Sequence, residues 1–592
     1  MNHDTDVLVV GSGPAGGAAA LSLASQGIRT LLVTKYGWLA NTPRAHITNQ
    51  RTMEVLRDLG IEDAALEKGT PQPMMGDTVL CTALAGEEIG RIRSWGTAPE
   101  SASEYAAASP CGMIDLPQTY LEPILITNAA ARGAKVRFDT EFLSLTQDAD
   151  GVTARLRDRV RGDEFTVRAK YLIGADGARS IVAEQIGLPI AGQTGKAGSM
   201  NIVFNADLSR FVAHRPSVLY WVLRPGAELG GIGMGLVRMI RPWHEWLLTW
   251  GYDIDAPPPE VDEVQARRIV HDLIGDPDVP VQVTSTSLWT VNHSYATEYS
   301  AGRVFCAGDA VHRHPPSNGL GSNTSVQDAH NLAWKLAMVI RGEAGPGLLD
   351  SYTAERAPVG RQVVDRANLS RDQFLPIFQA LGVEGGVDET GIEAGLAACR
   401  EPSPAGARRR RALDEAIELK NYEFNAHGVE TNLRYTSAAV CPADGPAEVF
   451  ARDAELFTQP STRPGARLPH AWLVGDSGHR VSTLDLVGRG RFSVVTGLSG
   501  AVWEQAAAQA SAKTGVPVRV VRIGAAGARD AYGTWDRLAG MAEDGCLLVR
   551  PDGYIAWRAD TAPSTEAAAR EALVKALDLV LDRRSGVLVA AR

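Results

Sequence analysis

The sequence predicts an α/β protein of several domains, and three observations carry that reading. First, Asp6-Val7-Leu8-Val9-Val10 is a short, β-branched apolar run, as expected of a strand buried on both faces. It leads into Gly11-Ser12-Gly13-Pro14-Ala15-Gly16, then a small-residue helix from Gly17 to Ser25, with Gly27 placed as its C-terminal cap and a second strand over residues 28–33. Second, two more strand-and-turn units follow. Tyr171-Leu172-Ile173-Gly174-Ala175-Asp176-Gly177 opens a short helix ending near Gly187. Arg303-Val304-Phe305-Cys306-Ala307-Gly308-Asp309 precedes a long helix whose Val326, Ala329, Ala333, Leu336 and Ile340 recur at spacings of three and four, with Gly342 as its cap. Third, 592 residues exceed what one hydrophobic core serves, and the pattern changes from Gly465 onward. There, apolar strands at residues 492–497, 516–521 and 546–557 are separated by helix-length segments, and Asp552-Gly553 reads as a two-residue hairpin turn.

The glycine loop carries the first chemistry. Gly11, Gly13 and Gly16 fit G-x-G-x-x-G, which permits a tight turn and close backbone approach. The helix opening at Pro14 and Ala15 offers free N–H groups and a positive dipole end to a pyrophosphate. Alone the pattern is weak; between a strand and a helix within about 30 residues it is specific for a dinucleotide. A ribose-binding acid is expected at the end of the second strand, yet Thr34 and Lys35 stand there. Thr34 offers a neutral hydroxyl instead, a weaker partner for a ribose than a charged acceptor. The loop therefore indicates a dinucleotide without saying which.

Bulk composition excludes other classes. A formal net charge of -10 gives no basic footprint for nucleic acid and no general attraction to anionic lipid. No apolar run is long enough to span a bilayer, and the first residues lack the basic-then-apolar pattern of a secretory signal. The six cysteines lie far apart with no Cys-x-x-Cys pair, which argues against a disulfide framework or a structural metal and fits a cytoplasmic setting.

Together the three nucleotide motifs resemble those of the class A flavoprotein aromatic hydroxylases, the phenol and para-hydroxybenzoate hydroxylase family. The likeness is collinear through residues 38–54, 115–123 and 214–221 to about residue 370, and is strongest toward members acting on chlorinated phenols. It implies a Rossmann-like FAD-binding domain of the para-hydroxybenzoate hydroxylase type, an α+β substrate sheet and a thioredoxin-like C-terminal domain without Cys-x-x-Cys. The implied ranges are 1–75 with 112–190 and 295–375 for FAD, 76–111 with 191–294 for substrate, 376–440 as a helical linker, and 441–592 for the C-terminal domain. Gly385-Gly386 reads as a connector, and Arg408 to Arg411 as a solvated helix face.

The same resemblance implies FAD as cofactor and NADPH or NADH as transient co-substrate. Beyond the glycine loop with Thr34 and Lys35, it makes Arg44 and Gln118 FAD contacts. Asp176 is assigned to joint FAD and nicotinamide binding, and Gly308-Asp309 to the ribityl chain. Pro316, Gly319, Gly321, Ser322 and Asn323 would present a helix N-terminus to the flavin pyrimidine edge, where negative charge develops on reduction.

His46 is the expected base, because related phenol hydroxylases carry an aspartate at that spacing before Arg51-Thr52. An imidazole with a pKa near the unperturbed value of about 6.5 suits deprotonation of a phenol at neutral pH. The competing role is a bond to flavin or backbone. Tyr220, Trp221, Trp289 and Pro315 are the expected pocket lining, with core packing as the alternative for each aromatic, and Trp243, His244, Trp246 and Trp250 are assigned to packing. The implied reaction is ortho-hydroxylation of a chlorophenol such as 2,4-dichlorophenol to a catechol, with O2 and a flavin C4a-hydroperoxide. The alternatives are another substituted phenol, a resorcinol or a hydroquinone; more remotely, a flavin-dependent halogenase or a non-catalytic flavin-binding protein. A homo-oligomer, dimer or tetramer, is the family expectation.

Overall fold

In the computed structural model, which describes residues 3–227, 233–383 and 388–583, two eight-stranded sheets share the catalytic region. The first is centred on the strand Thr5–Val10, buried along its whole length and paired in parallel with Thr30–Val33 on one side and Glu164–Gly174 on the other. Val304–Cys306 extends it in parallel beyond Gly174, so the ends of three motif strands lie side by side at one sheet edge. The helices Pro14–Ser25 and Gly321–Ile340 pack against this sheet and each other. Gly11 takes φ +107°, and a side chain there would lie 2.1 Å from Ala175 O, so the glycine loop and the Ala175-Asp176 turn touch backbone to backbone.

The second sheet runs His312–Arg313, Gln282–Ala296, Ile190–Asn205, Glu245–Tyr252, Met234–Arg241, Leu219–Leu223, Asp77–Cys81, Glu88–Arg93. Across it, Trp221, Leu236, Thr249, Asn201 and Ser287 are register partners and so share one face, together with Arg238 and Trp289 two residues along their strands. The opposite face carries Tyr220, Val237, Leu248 and Ile202, all fully buried, in one core with Ala266, Val270 and Leu273 of the helix Glu263–Ile274. That helix starts at a capping box made by Asp262 and Gln265, and each fully buried Val or Leu stabilises the packing by roughly 1.5–3 kcal/mol.

Residues 375–418 form the helices Leu375–Leu381, Glu389–Arg400 and Pro404–Glu418, whose Ile377, Leu396, Leu413 and Ile417 join the core of the second sheet. The expected connector Gly385-Gly386 lies outside the described residues, and Arg408, Arg410 and Arg411 are exposed. C-terminally, the four-stranded sheet Val518–Arg522, Phe492–Thr496, Cys546–Val549, Ile555–Ala559 packs with the helices Val502–Thr514 and Glu566–Val580 in a thioredoxin-like arrangement. The Asp552-Gly553 turn corrects the expectation. Arg550 N donates to Tyr554 O and Gly553 sits at φ +82°, so the loop has three residues rather than two. Among the described residues no helix is long and apolar enough to cross a membrane.

Candidate active site

His46 lies close to Arg238 of the second sheet, in a segment held by Asn323 of the helix Gly321–Ile340. It precedes the short strand Ile47–Thr48, which pairs with Ile114–Asp115, and its carbonyl accepts from Leu116 N at 2.6 Å. That pairing sets its Nδ1 3.4 Å from an Asp115 carboxylate oxygen, and the other Asp115 oxygen accepts from Arg238 Nη2 at 2.5 Å. All three side chains are buried. Burial lowers the His46 pKa to about 4, the Arg238 charge adds to that, and Asp115 opposes both. The expected pKa near the unperturbed value is therefore corrected: the buried imidazole rests neutral across the neutral range. Burial alone would raise the Asp115 pKa, but the Arg238 charge and His46 hold it below its ordinary value, so it stays ionised.

Both His46 nitrogens, Asp115 Oδ1, Arg238 Nε and Trp221 Nε1 are buried without a hydrogen-bond partner. Buried polar atoms are rarely left so, and five in one region match a site that takes a polar ligand. Trp289 shares this face and donates to Asn201 Oδ1 at 3.0 Å, while Trp221 stands 4.5 Å from the Phe374 ring. Tyr220, expected in the same pocket, points the other way because neighbouring strand residues alternate. Its hydroxyl donates to Arg215 O at 2.9 Å, and its ring packs near Trp246 in the far core. Pro315 is buried in the loop after His314.

The glycine motif has the shape of a phosphate cradle. A side chain on Gly16 would lie 1.9 Å from Gly11 O, whereas beside Gly13 the space is open, with Glu122 Oε1 the nearest atom at 3.8 Å. The helix that follows has Pro14 in its first turn, no acid there and no side-chain cap, so its N–H groups remain available. Ala15 packs against Ala175 and Ala307, joining the three motif turns. Burial raises the Glu122 pKa, which eases the presence of a carboxyl group beside a phosphate site; Gln118 and Ala40 N donate to it. Arg44 is exposed, and its carbonyl accepts from Gln118 N. Thr34 is buried at its strand end and Lys35 is exposed.

The other motif residues divide. Gly308 turns the chain at φ +67°, and the Asp309 carboxylate is exposed, with neither hydrogen bond nor ion pair among the described residues. Such a free acceptor beside the glycine loop suits a polyol. Asp176 is different: its carboxylate accepts from Ser180 Oγ, Ile181 N and Val182 N, capping the helix Ile181–Gln185. Pro316 and Gly319 lead, with Gly319 at φ +63°, into the uncapped helix start at Gly321 and Ser322. The Asn323 side chain turns inward and leaves the expected backbone presentation of the helix start untouched. Its Nδ2 donates to Ile47 O at 2.7 Å and its Oδ1 accepts from Asn49 N at 3.0 Å, so the long helix clamps the His46 segment.

Comparison with known proteins decides what this arrangement is. The FAD binding domain family matches residues 4–367, and the aromatic-ring hydroxylase C-terminal family matches residues 461–583. The chain belongs to the FAD-dependent aromatic-ring hydroxylases. It is 55% identical over 587 residues to the 2,4-dichlorophenol 6-monooxygenase of Cupriavidus pinatubonensis, covering 99% of this chain and 98% of that one. It is 50% identical to the phenol 2-monooxygenase of a Pseudomonas strain, covering 94% and 90%. The flavin-dependent monooxygenase PieE, solved with FAD and substrate, superposes with a TM-score of 0.93 at 44% identity over 98% of this chain and all of PieE. This hydroxylase is therefore an FAD monooxygenase. Sequence reasoning missed Asp115 and Arg238, whose approach to His46 depends on strand pairing between segments far apart in the chain.

Proposed function

We propose that this enzyme uses NAD(P)H and O2 to hydroxylate a chlorinated phenol, 2,4-dichlorophenol or a near relative, at the carbon next to its hydroxyl. The reading rests on relatives at 55% and 54% identity that carry that activity in their names. The observation that carries the site assignment is the unpaired His46 imidazole beside Asp115 and Arg238. Bound FAD supplies the oxygen-transfer chemistry. The chain's part is to bind and prepare the ring. Trp221 and Trp289 line an apolar wall for it, His46 accepts the phenol proton, and ionised Asp115 stabilises the imidazolium that results. Arg238 adds positive charge that favours the phenolate, whose electron-rich ortho carbon is the one attacked.

For the cofactor, we read Gly11, Gly13 and Gly16 with the Pro14 and Ala15 amides as the pyrophosphate cradle. Thr34, Lys35, Arg44 and Gln118 lie at the adenosine side, Asp309 on the ribityl chain, and Gly319, Gly321 and Ser322 at the pyrimidine edge. Pro315 and Pro316 shape the loop between ring and helix. Six buried free thiols and the lack of a membrane-crossing helix among the described residues support a cytoplasmic enzyme. A homodimer or tetramer is carried over from the family.

The test is NADH and NADPH oxidation with a panel of phenols, with products identified. The expected result is rapid, substrate-stimulated oxidation with chlorophenols and a chlorocatechol as product. Faster, fully coupled turnover of a resorcinol or hydroquinone would replace the chlorophenol reading.

A further inference from the structure

We propose that Asp328, Arg356 and Tyr435 form a positioning relay through which the C-terminal domain holds the Gly308-Asp309 turn in its FAD-binding shape. The proposal rests on the reading of Asp309 as an FAD contact.

The relay starts at Asp328 on the helix Gly321–Ile340. One of its carboxylate oxygens accepts from Gly308 N at 3.1 Å and from His312 Nε2 at 2.8 Å, bracketing Asp309 from both sides. The other accepts from Arg356 Nε at 2.7 Å. Asp328, His312 and Arg356 are all fully buried. Gly308 sits at φ +67°, and a side chain there would lie 2.8 Å from Ser325 Oγ and 3.0 Å from Ala15 Cβ. The turn thus has little room and depends on its backbone hydrogen bond to stay in register. The Asp309 carboxylate is exposed and, among the described residues, makes neither hydrogen bond nor ion pair; only the backbone carbonyl is held, accepting from Arg313 Nε at 3.0 Å, so the direction of the carboxylate is inherited from the turn.

Arg356 carries the relay outward. Its Nη1 donates to the Tyr435 hydroxyl at 2.9 Å, and its Nη2 to Thr324 O at 3.3 Å. Tyr435 is fixed by the C-terminal region. Its backbone N–H donates to Gly465 O at 2.8 Å, and its ring centroid lies 4.2 Å from that of Tyr554, which closes the hairpin loop. Beside it, Glu355 accepts from Arg550 Nη2 and Lys335 Nζ, each at 2.9 Å, and from Ser437 Oγ at 2.7 Å, locking the helix Ser351–Asp372 to the same hairpin. A domain without redox cysteines thereby acquires a function: it orients, through one buried arginine, the carboxylate that receives the flavin's polyol chain. Buried networks of this kind are stiff because each member loses a partner if another moves.

The test is FAD titration of the full-length apoenzyme by fluorescence quenching, with the apoenzyme's thermal midpoint recorded alongside. Removing a hydrogen bond to a charged group predicts an FAD Kd raised several-fold in Tyr435→Phe with little change in the apoenzyme midpoint, and raised about tenfold in Asp328→Asn, whose midpoint also falls because the buried Arg356 loses its counter-charge. Because one relay carries both effects, Tyr435→Phe adds nothing in the Asp328→Asn background. Should Asp328→Asn not fold, Arg356→Lys, which keeps the charge but loses the fork, takes its place in the cycle. An FAD Kd within about twofold of the parent in Tyr435→Phe, or effects that multiply independently, would overturn the relay. Asp309→Ala separates the two readings. If it weakens FAD while the relay variants do not, only the relay fails; if it too binds FAD normally, the placement of FAD on Asp309 fails.

Discussion

His46→Ala is expected to keep its FAD and to lose hydroxylation by about 10²- to 10⁴-fold, the usual contribution of a positioned base. The defect follows pH in a defined way. The wild-type imidazole, with its pKa lowered to about 4 chiefly by burial, is neutral but only weakly basic across the neutral range, so it takes the phenol proton with the negative charge of Asp115 and of the developing phenolate beside it; its activity falls as pH drops toward that value. The variant must wait for phenolate from solution, so its rate climbs as pH rises toward the substrate's own pKa. The ratio of the two is largest well below that pKa and shrinks above it. Asp115→Asn is expected to follow the same profile with a smaller loss, since it removes the charge that stabilises the imidazolium and leaves the base in place. Stopped-turnover assays of catechol formation across pH check both, and a His46→Ala ratio that does not vary with pH would remove His46 from proton transfer.

The second large effect is on stability. Arg550→Met is expected to cost about 3–5 kcal/mol, because it strips buried Asp552 of its cation and leaves buried Glu355 with Lys335 alone. Arg550 is fully buried, donating to Glu355 Oε2 at 2.9 Å and Asp552 Oδ1 at 3.0 Å. Both acids are held below their ordinary pKa values against the opposing effect of burial, chiefly by the Arg550 charge. Lowered carboxylate pKa values contribute stability that is present above the unfolded values, 4.5 for Glu355 and 3.8 for Asp552, and is lost as pH falls below them. The gap between wild type and variant is therefore widest near neutrality and narrows in acid. Urea unfolding at pH 7 and pH 4 measures it; a gap that widens in acid would contradict this account of the network.

The FAD-binding half of the fold was legible because its signals are local. A glycine loop between a strand and a helix, and a stripe of Val326, Ala329, Ala333 and Leu336, announce themselves within a few turns of chain. What escaped the sequence are partnerships between distant segments. His46 was singled out, but its depressed pKa comes from burial under the second sheet and from Arg238, 192 positions later. Tyr220 and Trp221 are adjacent and equally aromatic; only strand register shows that they face opposite sides. Asp176 and Asn323 sit in motifs yet bond the protein itself, a distinction that depends on side-chain direction rather than residue type. Asp-Gly is the commonest two-residue hairpin signal, yet Arg550 N donates to Tyr554 O and the loop spans three residues, with Arg550 paired to Asp552 beside it.

In the proposed reaction one atom of O2 enters the ring beside an existing hydroxyl, under the control of this site. Turnover of 2,4-dichlorophenol under oxygen-18 gas, with the product analysed by mass spectrometry, tests it most directly. The expected product is a dichlorocatechol carrying a single heavy oxygen at the new hydroxyl, formed in step with NAD(P)H consumed. An unlabelled product, or NAD(P)H oxidation that yields only hydrogen peroxide with every phenol supplied, would contradict it.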